Sequence, residues 1–319
     1  MKVLCITNMY PYPGRPYFGI FVKNQIESLE AQGLNIKTIF IGRYFGGYKK
    51  ILNIKEKVKW ASLIHCHFGH TGSLTLPWKY LYRKPLVVSY CGDDLLGKIE
   101  PSGKVNFFHK IPSIINSYLS RFVDCAIAKS YQLARKIRCK KIEVIPNGVD
   151  LSFFREVPKD EALKKIGLSN HSRKIILFLG QRDNPVKNYS LFCQVLKYLD
   201  FEFKVLALEN IPYEEVVYYL NASDVCVLTS IHEGSPNVVK EALSCNRPVV
   251  SVDVGDVNIL LKDVKGCFIT PHDPCEIASS IKKALKFEKS DGRRRIKELG
   301  LSLESVAERI IGIYRSLVR

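Results

Sequence analysis

At 319 residues, the chain is longer than the roughly 100–200 residues of one ordinary domain, so two domains of similar size are expected. A hydrophobic fraction of 46%, charged residues at 25% and the lack of any low-complexity tract exclude a disordered, collagen-like or mucin-like chain. The net charge of +17 is lopsided, since residues 1–150 hold 23 Lys and Arg against 9 Asp and Glu while residues 151–319 hold 25 against 22. Such a field suits phosphates, anionic lipid or nucleic acid, and it equally describes a solvated face that aids solubility.

No apolar run approaches the roughly 18 residues of a membrane span, and Val3 to Ile6 is too short for a signal-peptide core, so a cytosolic location is expected. The ten cysteines are scattered without a close C-x2-C pair, and they read as reduced, mainly structural thiols.

Short β-branched runs alternate with longer helical stretches, the pattern of parallel sheets covered by helices. Lys2–Thr7 reads as a buried strand, followed by a Pro/Gly loop from Asn8 to Phe18 and a helix from Gly19 to Gln32 that Gly33 stops. Further strands are expected at Ile36–Ile41, Leu63–His67, Leu86–Tyr90, Cys125–Ala128 and Ile142–Ile145. Within Val105–Val123, two readings stand for Phe107, Phe108, Ile111, Ile114 and Ile115: ordinary core with Pro112 near a helix start, or an apolar and basic surface suited to anionic lipid. A turn at Pro146–Asp150 leads into a linker and a second α/β cycle.

In that cycle the strands are Lys174–Gly180, Phe203–Leu208, Val225–Thr229, Pro248–Val252 and Cys267–Ile269, with helices at Asn188–Leu199 and Tyr213–Leu220. The chain closes on an amphipathic helix from Ser302 to Arg319, with Val306, Ile310, Ile313 and Leu317 on one face. The fold class is therefore α/β, with a first domain over 1–153 joined by the closing helix at about 304–319 and a second over 154–303. Neither first-strand turn carries the G-x-G-x-x-G fingerprint of a dinucleotide-binding dehydrogenase. A ligand shared by two such domains is expected in the cleft between them.

The segment Asp224 to Leu243 carries the most chemistry and reads as strand, loop and helix. Ser235 suits the N-cap and Pro236 the first helical position, so the N–H groups of Asn237, Val238 and Val239 would face a bound anion such as a diphosphate. Glu233 precedes this helix and Glu241 lies in its second turn. His65 and His67 are expected on opposite sides of their strand, lining structure rather than binding metal, and Asp93-Asp94 lacks the D-x-D spacing of metal-dependent transferases.

Glu233 and Glu241 form an E-x7-E element, and the run E-G-S-P-N-V-V-K-E-A-L followed by Pro248-Val249-Val250 resembles the retaining family-4 glycosyltransferases of GT-B fold. The opening loop with Pro11, Gly14 and Gly19, the stretch His65–Gly69, Ser89–Asp94 and Val144–Asp150 match further landmarks of that family. The resemblance implies two Rossmann-like domains that bind a nucleotide-diphosphate sugar donor, with no resident cofactor and no metal. It implies that Glu241 holds the ribose, that Glu233 contacts the donor sugar, and that Gly234, Ser235, Pro236, Asn237 and Val238 form the diphosphate and sugar contacts.

It also places Gly19, Cys91 and Gly92 near the donor, with Lys187 and Arg182 gripping the diphosphate and, together with Glu233, carrying the catalytic charge. Two positions depart from the family pattern: Cys91 stands where many relatives have His, and Gln181 follows Gly180, so that Arg182 is displaced by one. The implied acceptor is a saccharide or lipid-linked saccharide, and the basic first half makes the cytoplasmic membrane face an expected partner. An epimerase or phosphorylase of the same fold is the alternative enzyme. A basic nucleic-acid-binding protein is the non-enzyme alternative, against which no helix-turn-helix, finger or RNP pattern is found.

Overall fold

The computed structural model describes residues 1–15, 17–42, 49–97, 107–169 and 172–318. The side chains of Phe107 and Phe108 lie outside the described set, as do Val105 and Asn106. The chain divides into two compact units. Among the described residues, one comprises those of 1–97, 107–148 and 303–318, and the other those of 149–302. The first unit ends a few residues before the boundary drawn from the sequence. Val149 packs in the second unit's core, and its N–H donates to the carbonyl of Leu301 at 2.9 Å.

The first unit holds a sheet in the order β2-β1-β3-β4-β5-β6. Its strands are β1 Lys2–Thr7, β2 Asn35–Phe40, β3 Leu63–His67, β4 Leu86–Tyr90, β5 Cys125–Ala128 and β6 Ile142–Val144. Every pairing is parallel, so each connection crosses over a face of the sheet and the central strands are covered on both sides. That is why β3, β4 and β5 are buried at every position, His65, His67 and Ser89 included.

The helix Gly69–Tyr82 presses so closely on β4 that a Cβ at Gly72 would lie 2.5 Å from a Val88 methyl. The closing helix Leu303–Leu317 packs Val306, Ile310, Ile313 and Tyr314 into the core beneath β1, β3 and β5.

The second unit has the order β11-β10-β9-β7-β8, again all parallel. Its strands are β7 Lys174–Phe178, β8 Phe203–Ala207, β9 Val225–Leu228, β10 Val249–Val252 and β11 Phe268–Thr270. In each sheet the chain reverses direction of travel beside its first strand, between β1 and β3 and between β7 and β9. Such switch points open a crevice at the carboxyl ends of the strands.

Two expectations are corrected. His65 and His67 share one face of β3, because residues two apart on a strand point the same way. Their rings stack at 4.6 Å, His65 contacts the Tyr314 hydroxyl through Nδ1 at 2.5 Å and the Ser89 hydroxyl through Nε2 at 2.9 Å, and His67 meets the Gln25 amide at 3.0 Å.

The core reading of Ile111, Ile114 and Ile115 also fails: all three are exposed on the helix Phe107–Leu119, as is Tyr118. The helix is turned polar side in because Asn116 is buried, donating to the carbonyl of Asp94 at 3.0 Å and accepting from Ser73 at 3.2 Å, with Ser113 buried beside it.

Burial pushes the His65 imidazole down to about 3, with Lys129 adding to the effect. Burial lowers His67 as well, helped by His65 and Lys129. Both rings are therefore neutral in the folded chain at any pH near neutrality. Their ring resonances should not titrate between pH 8 and 5 in NMR spectra, whereas a ring protonating near its ordinary value in that range would contradict the buried cluster.

Candidate active site

The second unit assembles its charged residues at the carboxyl ends of β7 and β9. After β7 the chain makes a single 3-10 turn, Pro185–Lys187, which Asn184 caps by accepting from the Val186 N–H at 3.1 Å. Asn188 ends the turn in the left-handed region that Asn tolerates, and its side chain starts the helix Tyr189–Leu196. Thr229, just beyond β9, donates its hydroxyl to the carbonyls of Lys187 and Asn188, pinning the turn against the strand end.

The Lys187 side chain runs across Gly180, where a Cβ would lie 2.7 Å from its Cγ. It ends in a 2.6 Å ion pair with Glu233. The same Glu233 oxygen accepts from the Ser230 hydroxyl at 2.9 Å. Both partners are mostly buried, with side-chain exposures of 19% and 17%, so water screens this pair far less than a surface bridge.

The helix Asn237–Ser244 follows, with Pro236 rather than Ser235 at the N-cap and no side chain capping it. Ser235 is diverted because its hydroxyl accepts from the Lys240 ammonium at 3.1 Å. Val239 donates its N–H to the carbonyl of Pro236, and the first turn from Asn237 carries the positive end of the helix. Glu241 lies one turn after Asn237, half-buried. Burial pushes its carboxyl up to about 7, against the pull of Lys240 and Lys187. Lys187 thus acts on both glutamates of the E-x7-E element.

Arg182 is held apart from this group. Its guanidinium lies 3.5 Å from Glu209 and above the ring of Tyr189.

Three residues missed in the sequence support the Glu233–Pro236 loop. Lys240 is fully buried; helical side chains lean toward the helix N-terminus, so its position one turn after Pro236 was a usable signal for the Ser235 contact. Asp256 is buried near this cation, and burial raises its carboxyl while Lys240 opposes the rise. Gly255 adopts φ +63, and a Cβ there would meet the Gly234 carbonyl oxygen at 2.8 Å. Its bare backbone lets the loop after β10 press against Glu233 and Gly234.

Gly19, Cys91 and Gly92 belong to the first unit. Gly19 adopts φ +72, and a Cβ there would strike the backbone of Met9 at 2.5 Å, so the opening loop folds onto the start of the helix Ile20–Ala31. The Cys91 and Gly92 N–H groups donate to the Asp94 carboxylate at 3.1 and 2.9 Å, and Gly69 donates to it at 2.7 Å. Asp94, weighed in the sequence only as part of an Asp93-Asp94 pair and a family landmark, therefore ties the ends of β3 and β4 together. Burial pushes its carboxyl up to about 6 despite these donors.

Burial likewise pushes the Cys91 thiol up to about 12, so it stays protonated and cannot replace an imidazole as base. A cavity of about 310 Å³ lies here, lined by Asn8, Met9, Phe68, His70, Asp94 and Asn116 among others. Among the described residues, no group of three or more His, Cys, Asp or Glu side chains is placed to hold a metal ion.

Comparison with known proteins agrees along the chain. Residues 30–153 match the family described as Glycosyltransferase Family 4, and residues 195–286 match the one described as Glycosyl transferases group 1. The putative teichuronic acid biosynthesis glycosyltransferase TuaC of Bacillus subtilis (strain 168) is 25% identical, over 88% of both chains. A UDP-Gal:alpha-D-GlcNAc-diphosphoundecaprenol alpha-1,3-galactosyltransferase of Escherichia coli is 28% identical over 39% of each chain.

Among solved structures, a sucrose-phosphate synthase from Thermosynechococcus elongatus superposes with a TM-score of 0.79, 18% identity and 99% coverage of both chains. Anabaena Alr3699/HepE in complex with UDP-glucose gives a TM-score of 0.72 at 18% identity, covering 99% of this chain and 100% of the other. The chain belongs to the family-4 type of glycosyltransferases and has the α/β GT-B fold.

Replacing Lys240 by Met strands the buried Asp256 beside an apolar stem. Lys240→Met should lower stability at pH 7 in urea unfolding, because it removes both the donor to Ser235 and the cation that favours the charged Asp256. The loss should shrink as pH is lowered, because a protonated Asp256 needs no cation.

Proposed function

We propose that this glycosyltransferase moves a sugar, with retention of anomeric configuration, from a nucleotide-diphosphate donor to a hydroxyl of a lipid-linked saccharide or polysaccharide precursor. The observation that carries the reading is the Lys187–Glu233 pair set beside the start of the helix Asn237–Ser244, with Glu241 one turn further in. Breaking the anomeric C–O bond builds negative charge on the departing diphosphate. Lys187 and the helix start are already oriented to receive it, so little reorganisation is needed as the charge develops.

In this reading Glu241 accepts hydrogen bonds from the ribose hydroxyls. Glu233 aligns Lys187 and contacts the donor sugar, whose ring gains positive charge in the transition state. With one carboxylate committed to ribose, the pair does not work as the two catalytic carboxylates of a retaining glycosidase. The acceptor attacks from the face the leaving group vacates, and a donor phosphate oxygen takes its proton. The cations of the chain supply the phosphate charge, so no metal is required. Arg182 reaches phosphate only if it releases Glu209, and it is the weaker candidate of the two cations.

The names of the relatives support an envelope-type acceptor: the Bacillus subtilis protein is described by teichuronic acid biosynthesis and the Escherichia coli protein by a diphosphoundecaprenol acceptor. Attachment to an anionic membrane face draws support from the helix Phe107–Leu119. Ile111, Ile114, Ile115 and Tyr118 are exposed, and Arg121 lies over the Tyr118 ring at 3.6 Å. With the surplus of 14 positive charges in residues 1–150, this face offers apolar contact and basic attraction together. Among the described residues, no helix is long and apolar enough to cross a membrane.

A panel of nucleotide sugars, followed by NMR of the product anomer, tests the reading; an inverted product overturns it. Glu241→Ala should weaken donor binding by roughly 1.5–3 kcal/mol per lost hydrogen bond in calorimetry. Because the Glu241 carboxyl titrates at about 7 and only its charged form accepts both hydroxyls, wild-type nucleoside affinity should fall as pH drops from 8 to 6. Glu241→Gln should flatten that slope. Lys187→Ala should cost affinity for the nucleoside diphosphate far more than for the nucleoside, and turnover should survive EDTA.

Vesicle co-sedimentation checks the attachment. Pelleting should need anionic lipid, fade as salt is raised and weaken in Ile114→Ser/Ile115→Ser. Equal pelleting on neutral lipid, or none at low salt, assigns the helix face another role.

A further inference from the structure

The opposite edge of the second sheet holds a cavity of about 640 Å³, within the range of small-molecule sites. It lies at the amino ends of the strands: Lys174 opens β7, Asp224 precedes β9, and Arg247 stands two residues before β10. A strand of four or five residues puts it on the order of 15 Å from the Lys187 edge, so it is a separate site.

Arg247 is only 6% exposed. Among the described residues the one hydrogen bond of its side chain runs from Nε to the carbonyl of Cys245 at 3.1 Å. Among the described residues, no carboxylate lies at ion-pair distance from the two terminal nitrogens of this buried guanidinium.

Two of the cavity's three acids are already engaged. Glu156 accepts from Lys289 and from Asn246, both at 2.6 Å. Asp224 is shared by Lys159 at 2.7 Å and Lys174 at 3.5 Å. Set against Glu156, Asp224 and Glu288, the lining cations Lys159, Lys174, Arg247, Lys286 and Lys289 leave two positive charges over. Arginine's fork matches the oxygens of a phosphate. Beside it lie Val157, Leu285 and a half-exposed Phe287, an apolar wall for the body of a ligand.

We propose that this cavity binds a small phosphomonoester, with the dianionic phosphate on Arg247 and Lys286 and the organic part against Phe287. Neither the transfer reaction nor the donor site is needed for this inference.

Calorimetry with phenyl phosphate and inorganic phosphate tests it on the full chain. Phenyl phosphate should bind wild type and Lys187→Ala alike, and more tightly than inorganic phosphate, with Phe287→Ala erasing the difference. Arg247→Met and Lys286→Glu should each lower the affinity at least tenfold. Lys286 is exposed and outside the transfer machinery, so Lys286→Glu should keep the wild-type thermal transition and basal transfer, which guards against misfolding of the Arg247 variant. Binding lost in Lys187→Ala, binding unaltered in Lys286→Glu, or no binding by wild type would each overturn the proposal.

Discussion

Parallel pairing is the constraint on which the rest of this structure depends. Because every described strand pair is parallel, each sheet is crossed by the connections between its strands, and its centre has no wet face for polar chemistry. Reactive groups are confined to strand ends. The carboxyl ends, where order reverses, collect Lys187, Glu233 and Glu241 in one unit and Asn8, His67 and Asp94 in the other. The amino ends of the second sheet collect a separate set of charges around Arg247.

The same constraint decides what the sequence makes legible. A strand buried on both faces is a mostly apolar run, so β1, β3, β4, β5, β7 and β9 stand out within a residue or two of their ends. The loop-and-helix motif around Glu233 is likewise local, and its residues occupy consecutive positions whose neighbours follow from chain geometry. What depends on contacts between distant segments is not legible in this way. The diversion of Ser235 to Lys240, the support from Gly255 and Asp256, and the anchoring of two loops by Asp94 arise where separate crossovers meet.

The helix Phe107–Leu119 shows the same limit from another side. Its apolar residues would suit a core at helical spacing, and hydrophobicity alone cannot tell which face turns inward. The face is chosen by Asn116, which reaches Asp94 and Ser73 and so makes the polar side the buried one. The stacked histidines of β3 were misplaced for a simpler reason: a period of two puts alternate residues on one face, and there they share the space beside Tyr314.

That tyrosine has a consequence for how the chain comes off the ribosome. Residues 303–318 belong to the first unit, and Val306, Ile310 and Tyr314 fill core space beside Val3, Cys5 and Leu63. Synthesis runs from the amino end at roughly 5–20 residues per second, so the second unit has all of its residues before the first does. The amino-terminal unit, made earliest, is completed last. During that interval the apolar surface beneath β1 and β3 lacks its cover, and such surface is prone to aggregate until Val306, Ile310 and Tyr314 arrive.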